Sequence, residues 1–78
     1  MYPDSIKQLI EKGIADSEAH VSGDEGKFEA TVVSPAFEGM SAVKKHQTVY
    51  ATLKAQIASG ELHALTIKAY TPKEWKSR

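Results

Sequence analysis

Lys27-Phe28-Glu29-Ala30-Thr31-Val32-Val33-Ser34, followed at once by Pro35, is the stretch on which the fold turns. Phe28, Ala30 and Val32 point one way and Glu29, Thr31 and Val33 the other, the period-two signature of a half-buried strand. Pro35 cannot donate to a ladder and ends it. Upstream, Ala19 and Val21 alternate with His20 and Ser22, and Gly23-Asp24-Glu25-Gly26 supplies a turn, which predicts a β-hairpin. Downstream, Phe37 and Met40 flank Gly39 in a short connector. From Ser41 the period becomes helical, with Ala42, His46, Val49, Leu53 and Ile57 on one stripe. Ser41 is the expected N-cap and Gly60 the stop. Leu62 to Tyr70 then alternates again, with His63, Leu65, Ile67 and Ala69 sharing a face. A helical crossover of this length makes 27–34 and 62–70 parallel neighbours.

The flanks complete the order. Pro3 to Lys12 is expected to be a helix, with Pro3 in its first turn, Asp4 at its positive end and Ile6, Leu9 and Ile10 on one face. Gly13 reads as its stop, with Ile14 folding back. Thr71-Pro72-Lys73-Glu74 spells a capping box, and Trp75 on that last turn can cover the core edge. The expected architecture is α+β, with helices on one face of a three-stranded mixed sheet and residues 1–78 forming one domain.

Composition limits the chemistry. A chain of 78 residues hides only about 60% of its unfolded surface, enough for one thin core and not for a deep enclosed active site. There is no cysteine. That excludes disulfides, a thiol nucleophile and any zinc or iron–sulfur site held by this chain's own thiolates. It fits a reducing compartment, and a cytoplasmic location is expected, since no signal-peptide pattern or membrane-length apolar run is present. Ten Lys+Arg offset ten Asp+Glu. The balance conceals an asymmetry. Residues 1–40 carry three Lys against eight Asp/Glu, and residues 41–78 carry seven Lys/Arg against two Glu. The positive half is either ordinary solvating charge or a surface that steers an acidic partner or a phosphate backbone.

No motif for catalysis is present: no GxSxG, no HExxH, no phosphate-binding glycine loop and no evident carboxylate pair. The expectation is a protein that is not an enzyme. The histidines are His20, His46 and His63. His20 lies off the Ala19/Val21 face and is expected to be exposed; His46 lies on the helical stripe and is expected to pack. His63, at the head of the third strand, is either a half-buried histidine satisfied by backbone or a metal ligand reaching outward, and neutral imidazole suits iron, copper and zinc. The connector before Val43-Lys44-Lys45-His46 has a helix–turn–helix-like character. Lys44 and Lys45 there are candidate phosphate contacts for DNA, although Gly39-Met40-Ser41-Ala42 lacks the second glycine of a KH-type clamp.

Taken together, Phe37-Glu38-Gly39-Met40-Ser41, Val43 through Tyr50, and His63-Ala64-Leu65-Thr66-Ile67-Lys68-Ala69-Tyr70-Thr71-Pro72-Lys73-Glu74-Trp75 resemble the BolA family, in particular its IbaG/YrbA-like bacterial branch. The resemblance covers nearly the whole chain, and His20-Val21-Ser22-Gly23-Asp24 shares it. It implies a class II KH-like αββαβ fold. It also implies a monothiol glutaredoxin as partner, with a bridging [2Fe–2S] cluster held jointly by the glutaredoxin thiolate, glutathione and a histidine of this chain, which by motif is His63. The family's second ligand is a His or Cys in the loop after the first strand. Here that loop, Gly23 to Lys27, has neither, and Lys27 stands where a close relative has histidine. His20 or Asp24 is then the candidate second ligand. Imidazole in place of thiolate raises a cluster's potential and leaves a titratable bond. Some relatives are DNA-binding stress-response regulators, which makes DNA through Lys44 and Lys45 the alternative reading. A second copy of the chain is a further candidate partner.

Overall fold

The computed structural model describes residues 2–25 and 27–78. Helix α1 (Pro3–Gly13) leads into the hairpin β1 (Glu18–Asp24) and β2 (Lys27–Val33). A short 3₁₀ turn at Pro35–Phe37 follows, then helices α2 (Ala42–Thr52) and α3 (Lys54–Ala58), strand β3 (Ala64–Tyr70) and helix α4 (Pro72–Ser77). The sheet order is β1-β2-β3; β1 and β2 are antiparallel, and β2 and β3 are parallel. The mixed sheet and crossover expected from the sequence are present.

The core forms where the apolar faces meet. Ile6, Ile10 and Ile14 from α1 and its exit pack with Val49, Leu53 and Leu62 over Ala19, Phe28, Ala30 and Val32. Phe37, from the 3₁₀ turn, is fully buried among them. Ser34 is also fully buried; its hydroxyl donates to the Ala15 carbonyl at 2.8 Å and accepts from the Ala36 N–H at 3.0 Å. Both bonds remove the cost of burying a hydroxyl. The bond to Ala15 ties the end of β2 to the loop before β1.

Several expectations need correction. The helix expected from Ser41 to Gly60 is two helices, broken at Leu53 (φ −117°, ψ 12°). Thr52 Oγ1 donates back to the Val49 carbonyl at 2.7 Å, and Leu53 N–H bonds to Tyr50, one residue short of the α-helical partner. The tightened turn leaves Leu53 with no exposure at all, seated in the core. The N-terminal half of the stripe accordingly misses the core: Ala42 and His46 are exposed, and His46 stacks on Tyr50. Gly13 is not a left-handed stop. A methyl group there would lie 2.8 Å from Thr52 Cγ2, so any side chain at this position forces Thr52 to shift, because α1 and α2 approach closely. The third strand starts at Ala64 rather than Leu62; Leu62 is a core residue and the chain bends at His63.

A further correction concerns Trp75. It does not cover the edge of the core but crosses to the sheet's other face. It stacks on His20 of β1 at 5.7 Å and lies 5.4 Å from the Tyr70 ring of β3, while Arg78 sits 3.6 Å above it. Glu18, Val33 and Tyr70 form one row across the strands on that face. Val33, in the middle of the row, is only 8% exposed.

The β1–β2 connection is tight. Asp24 pairs with Lys27, so Gly23 and Asp24, expected in the turn, belong to the strand; Gly26 lies outside the described residues. Gly23 adopts φ +128°, and a side chain there would meet the Lys27 carbonyl oxygen at 2.2 Å. Only glycine fits.

The outer edge of β1 is partly closed. Glu11 Oε2 accepts the Ala19 N–H at 3.0 Å, and Lys7 Nζ donates to the Ala19 carbonyl at 2.9 Å, with Lys7 and Glu11 joined at 2.7 Å. The hydrogen bond from Lys7 and then that from Ala19 hold the Glu11 carboxyl below its ordinary value of 4.5. No helix of the described residues is long and apolar enough to cross a membrane.

Candidate functional site

His63 follows Leu62, which is anchored in the core, and precedes Ala64, which is paired with Lys27. The bend between these two fixed points turns the imidazole outward. His63 is exposed, and among the described residues no hydrogen bond or ion pair holds its ring. Of the two sequence readings, the half-buried histidine satisfied by backbone is therefore not what the chain adopts.

The register separates the two candidate second ligands. His20 is in the row His20–Thr31–Lys68, whereas His63 lies beyond the row Asp24–Lys27–Ala64. At ~3.3 Å per residue and ~4.8 Å per strand the two histidines are about 19 Å apart, too far to share one cluster. His20 is also engaged: its ring stacks on Trp75, and Nε2 lies 3.2 Å from Glu18 Oε1. Its expected exposure is present, but the structure does not bring it to His63. Asp24 is at the same end of the sheet as His63, about 10 Å away across two strands. Lys27 lies between them in the row. Among the described residues no group of three or more His, Cys, Asp or Glu is placed to hold a metal.

The two lysines of the nucleic-acid alternative also part company. Lys44 is exposed at the start of α2, whose first turn is capped by Ser41 Oγ accepting the Lys44 N–H at 3.1 Å. Lys45 is not free for phosphate: its side chain is only 12% exposed and its Nζ lies 2.7 Å from Glu74 Oε1. That same oxygen accepts the Thr71 N–H at 2.8 Å, within the capping box the sequence predicts. The Lys45 hydrogen bond, followed by that from Thr71, lowers the Glu74 carboxyl from 4.5. This link fastens α4 to α2, and residue spacing gave no sign of it.

The family model for BolA-like proteins matches residues 8–74. The chain belongs to the BolA family. It is 45% identical over 75 residues to the acid stress protein IbaG of Escherichia coli K12, covering 96% of this chain and 89% of that protein. Among solved structures, a BolA homologue from Coxiella burnetii is 40% identical with a TM-score of 0.88, covering 97% of each chain. BolA1 from Arabidopsis thaliana is 33% identical with a TM-score of 0.80, covering 92% of this chain and 93% of that one. Membership in the IbaG-like branch, as the sequence suggests, agrees with these relatives.

Proposed function

We propose that this BolA-family chain is a non-enzymatic adaptor that offers His63 to a [2Fe–2S] cluster whose other ligands come from a monothiol glutaredoxin and glutathione. The observation that carries the reading is the exposed, unengaged imidazole on a bend between two fixed residues. The donor chemistry fits a shared cluster rather than an owned one. One borderline nitrogen donor is available, and the chain contains no cysteine to complete a thiolate set. The bound cluster would supply redox and iron-transfer chemistry. This chain's residues would position and bind it.

Asp24 is the second-ligand candidate favoured here, because it shares His63's end of the sheet. Lys27, set between them, would balance the negative charge of a thiolate-ligated group. The test is co-reconstitution of both proteins with iron, sulfide and glutathione, followed by visible circular dichroism. His63→Ala is expected to abolish or strongly alter the cluster spectrum, Asp24→Ala to alter it less and His20→Ala to leave it unchanged. An unaltered spectrum for His63→Ala removes this residue from the site.

A further inference from the structure

The register fixes which backbone groups of β3 leave the sheet. Ser34 N–H donates to the Tyr70 carbonyl, and Val33 is the partner of Tyr70. Tyr70, Lys68, Thr66 and Ala64 therefore turn their backbone groups toward β2. Leu65, Ile67 and Ala69 turn theirs outward, and among the described residues no hydrogen bond takes them. Their side chains pack half-buried against the core. The result is a rim that is anchored underneath and has unpaired N–H and C=O groups along its length, the arrangement that accepts an added strand.

The exposed face of α2 runs beside this rim. Val43 is 66% exposed, and Tyr50, stacked on His46, is 42% exposed. A groove of about 220 Å³ separates helix from strand, lined by Ala42, Lys45, His46, Ile67 and Ala69.

Charge selects the occupant. Lys68 is half-exposed on the open face of β3, and β3 itself has no carboxylate. Of the nearby acids, Glu74 is engaged by Lys45, and Glu29 meets Lys68 only at 3.5 Å across a half-exposed pair that solvent weakens. A second copy of β3 laid antiparallel would set Lys68 diagonally across from its twin, which disfavours self-pairing. The β1 edge of a second copy is obstructed at Ala19 by Glu11 and Lys7.

We infer that the rim of Leu65, Ile67 and Ala69 takes up an extended acidic segment of the partner protein as a fourth strand. Its acidic side chains alternate toward Lys68 and its apolar ones toward Ile67 and Val43. The inference rests on the proposed function only for who the partner is: β3 leads directly from His63, so a segment paired along it brings the partner's body beside that imidazole.

The test is residue-resolved amide hydrogen exchange on the full chain with the peptide acetyl-Glu-Val-Glu-Val-Glu-Val-Glu-amide. Exchange at Leu65, Ile67 and Ala69 is expected to slow at least tenfold while Val21 on the opposite edge is unchanged. Ala69→Pro, which removes an outward N–H not used by β2, abolishes that protection. Lys68→Glu weakens peptide binding at least tenfold and serves if the proline variant does not fold. Unchanged exchange at saturating peptide overturns the inference. So does equal protection by the Lys-Val counterpart or by oligothymidylate, or protection that rises with protein concentration alone. The two readings fail separately. An unaltered cluster spectrum in His63→Ala leaves the rim's peptide response untouched, and loss of that response leaves the His63 result standing.

Discussion

Along β1, the outward N–H and C=O of Ala19 are taken by Glu11 and Lys7 from α1; along β3, no hydrogen bond among the described residues takes the equivalent groups of Leu65, Ile67 and Ala69. Both are edge strands of one small sheet, and each is seven residues long. The difference lies in what the neighbouring helix offers. Helix α1 presents an ion pair at i and i+4 whose two heads match one residue's donor and acceptor. Helix α2 faces its strand across a groove with Ala42, Lys45 and His46, and among the described residues none of them bonds the strand's outward backbone groups. An edge that a protein caps, even at one residue as at Ala19, resists unwanted pairing, and an edge it leaves open is available for pairing. In this chain the open edge is the one that continues from the unengaged histidine.

The contrast can be broken most severely at the closed side. Gly23→Ala forces a side chain into the Lys27 carbonyl and is expected to cost about 3 kcal/mol in chemical denaturation. A smaller loss follows from unsealing the edge. Glu11→Ala leaves the Ala19 N–H and Lys7 without their acceptor and is expected to cost about 1 kcal/mol. Combined with Lys7→Ala, it should yield concentration-dependent self-association by analytical ultracentrifugation, because β1 would then be as open as β3.

Acid should erode the same contacts. Glu11 and Glu74 are both held below 4.5 in the fold, so their stabilisation is complete above that value and is lost as pH falls through the folded values. The thermal midpoint is expected to drop below about pH 4.5 and to drop less in Glu11→Gln, which has no carboxyl there to titrate. The smallest stability effect belongs to the open side. His63→Ala should change unfolding free energy by less than about 0.5 kcal/mol, since the ring is exposed and unbonded. A large loss there would mean that the histidine is structural.

What could be read from residue order was local. The alternation in 27–33, the Ser41 cap and the Thr71–Glu74 box each lie within a few positions, and each appears as expected. The parallel pairing of β2 and β3 was also legible, because an intervening helix leaves few other routes. What was missed depends on contacts between distant positions. Lys45 and Glu74 are 29 residues apart and meet only once α4 has docked. Trp75 reaches the far face only because β1 and β3 hold His20 and Tyr70 at a fixed spacing. The break at Leu53 arises because the core draws that side chain inward, which the unbroken helical period around it did not reveal. His63 was identifiable from its motif, but its freedom follows from Leu62 being pulled into the core one residue earlier. The separation of His20 from His63 is a matter of register, which candidate ligands chosen by residue type do not encode.

The indole of Trp75 also has a practical consequence. It is the chain's one tryptophan, and it lies between an arginine and a histidine against the back of the sheet. Its emission is therefore an intrinsic optical gauge of whether the final helix is seated. Fluorescence can follow release of that helix without a dye, separately from events at the imidazole on the sheet's far end.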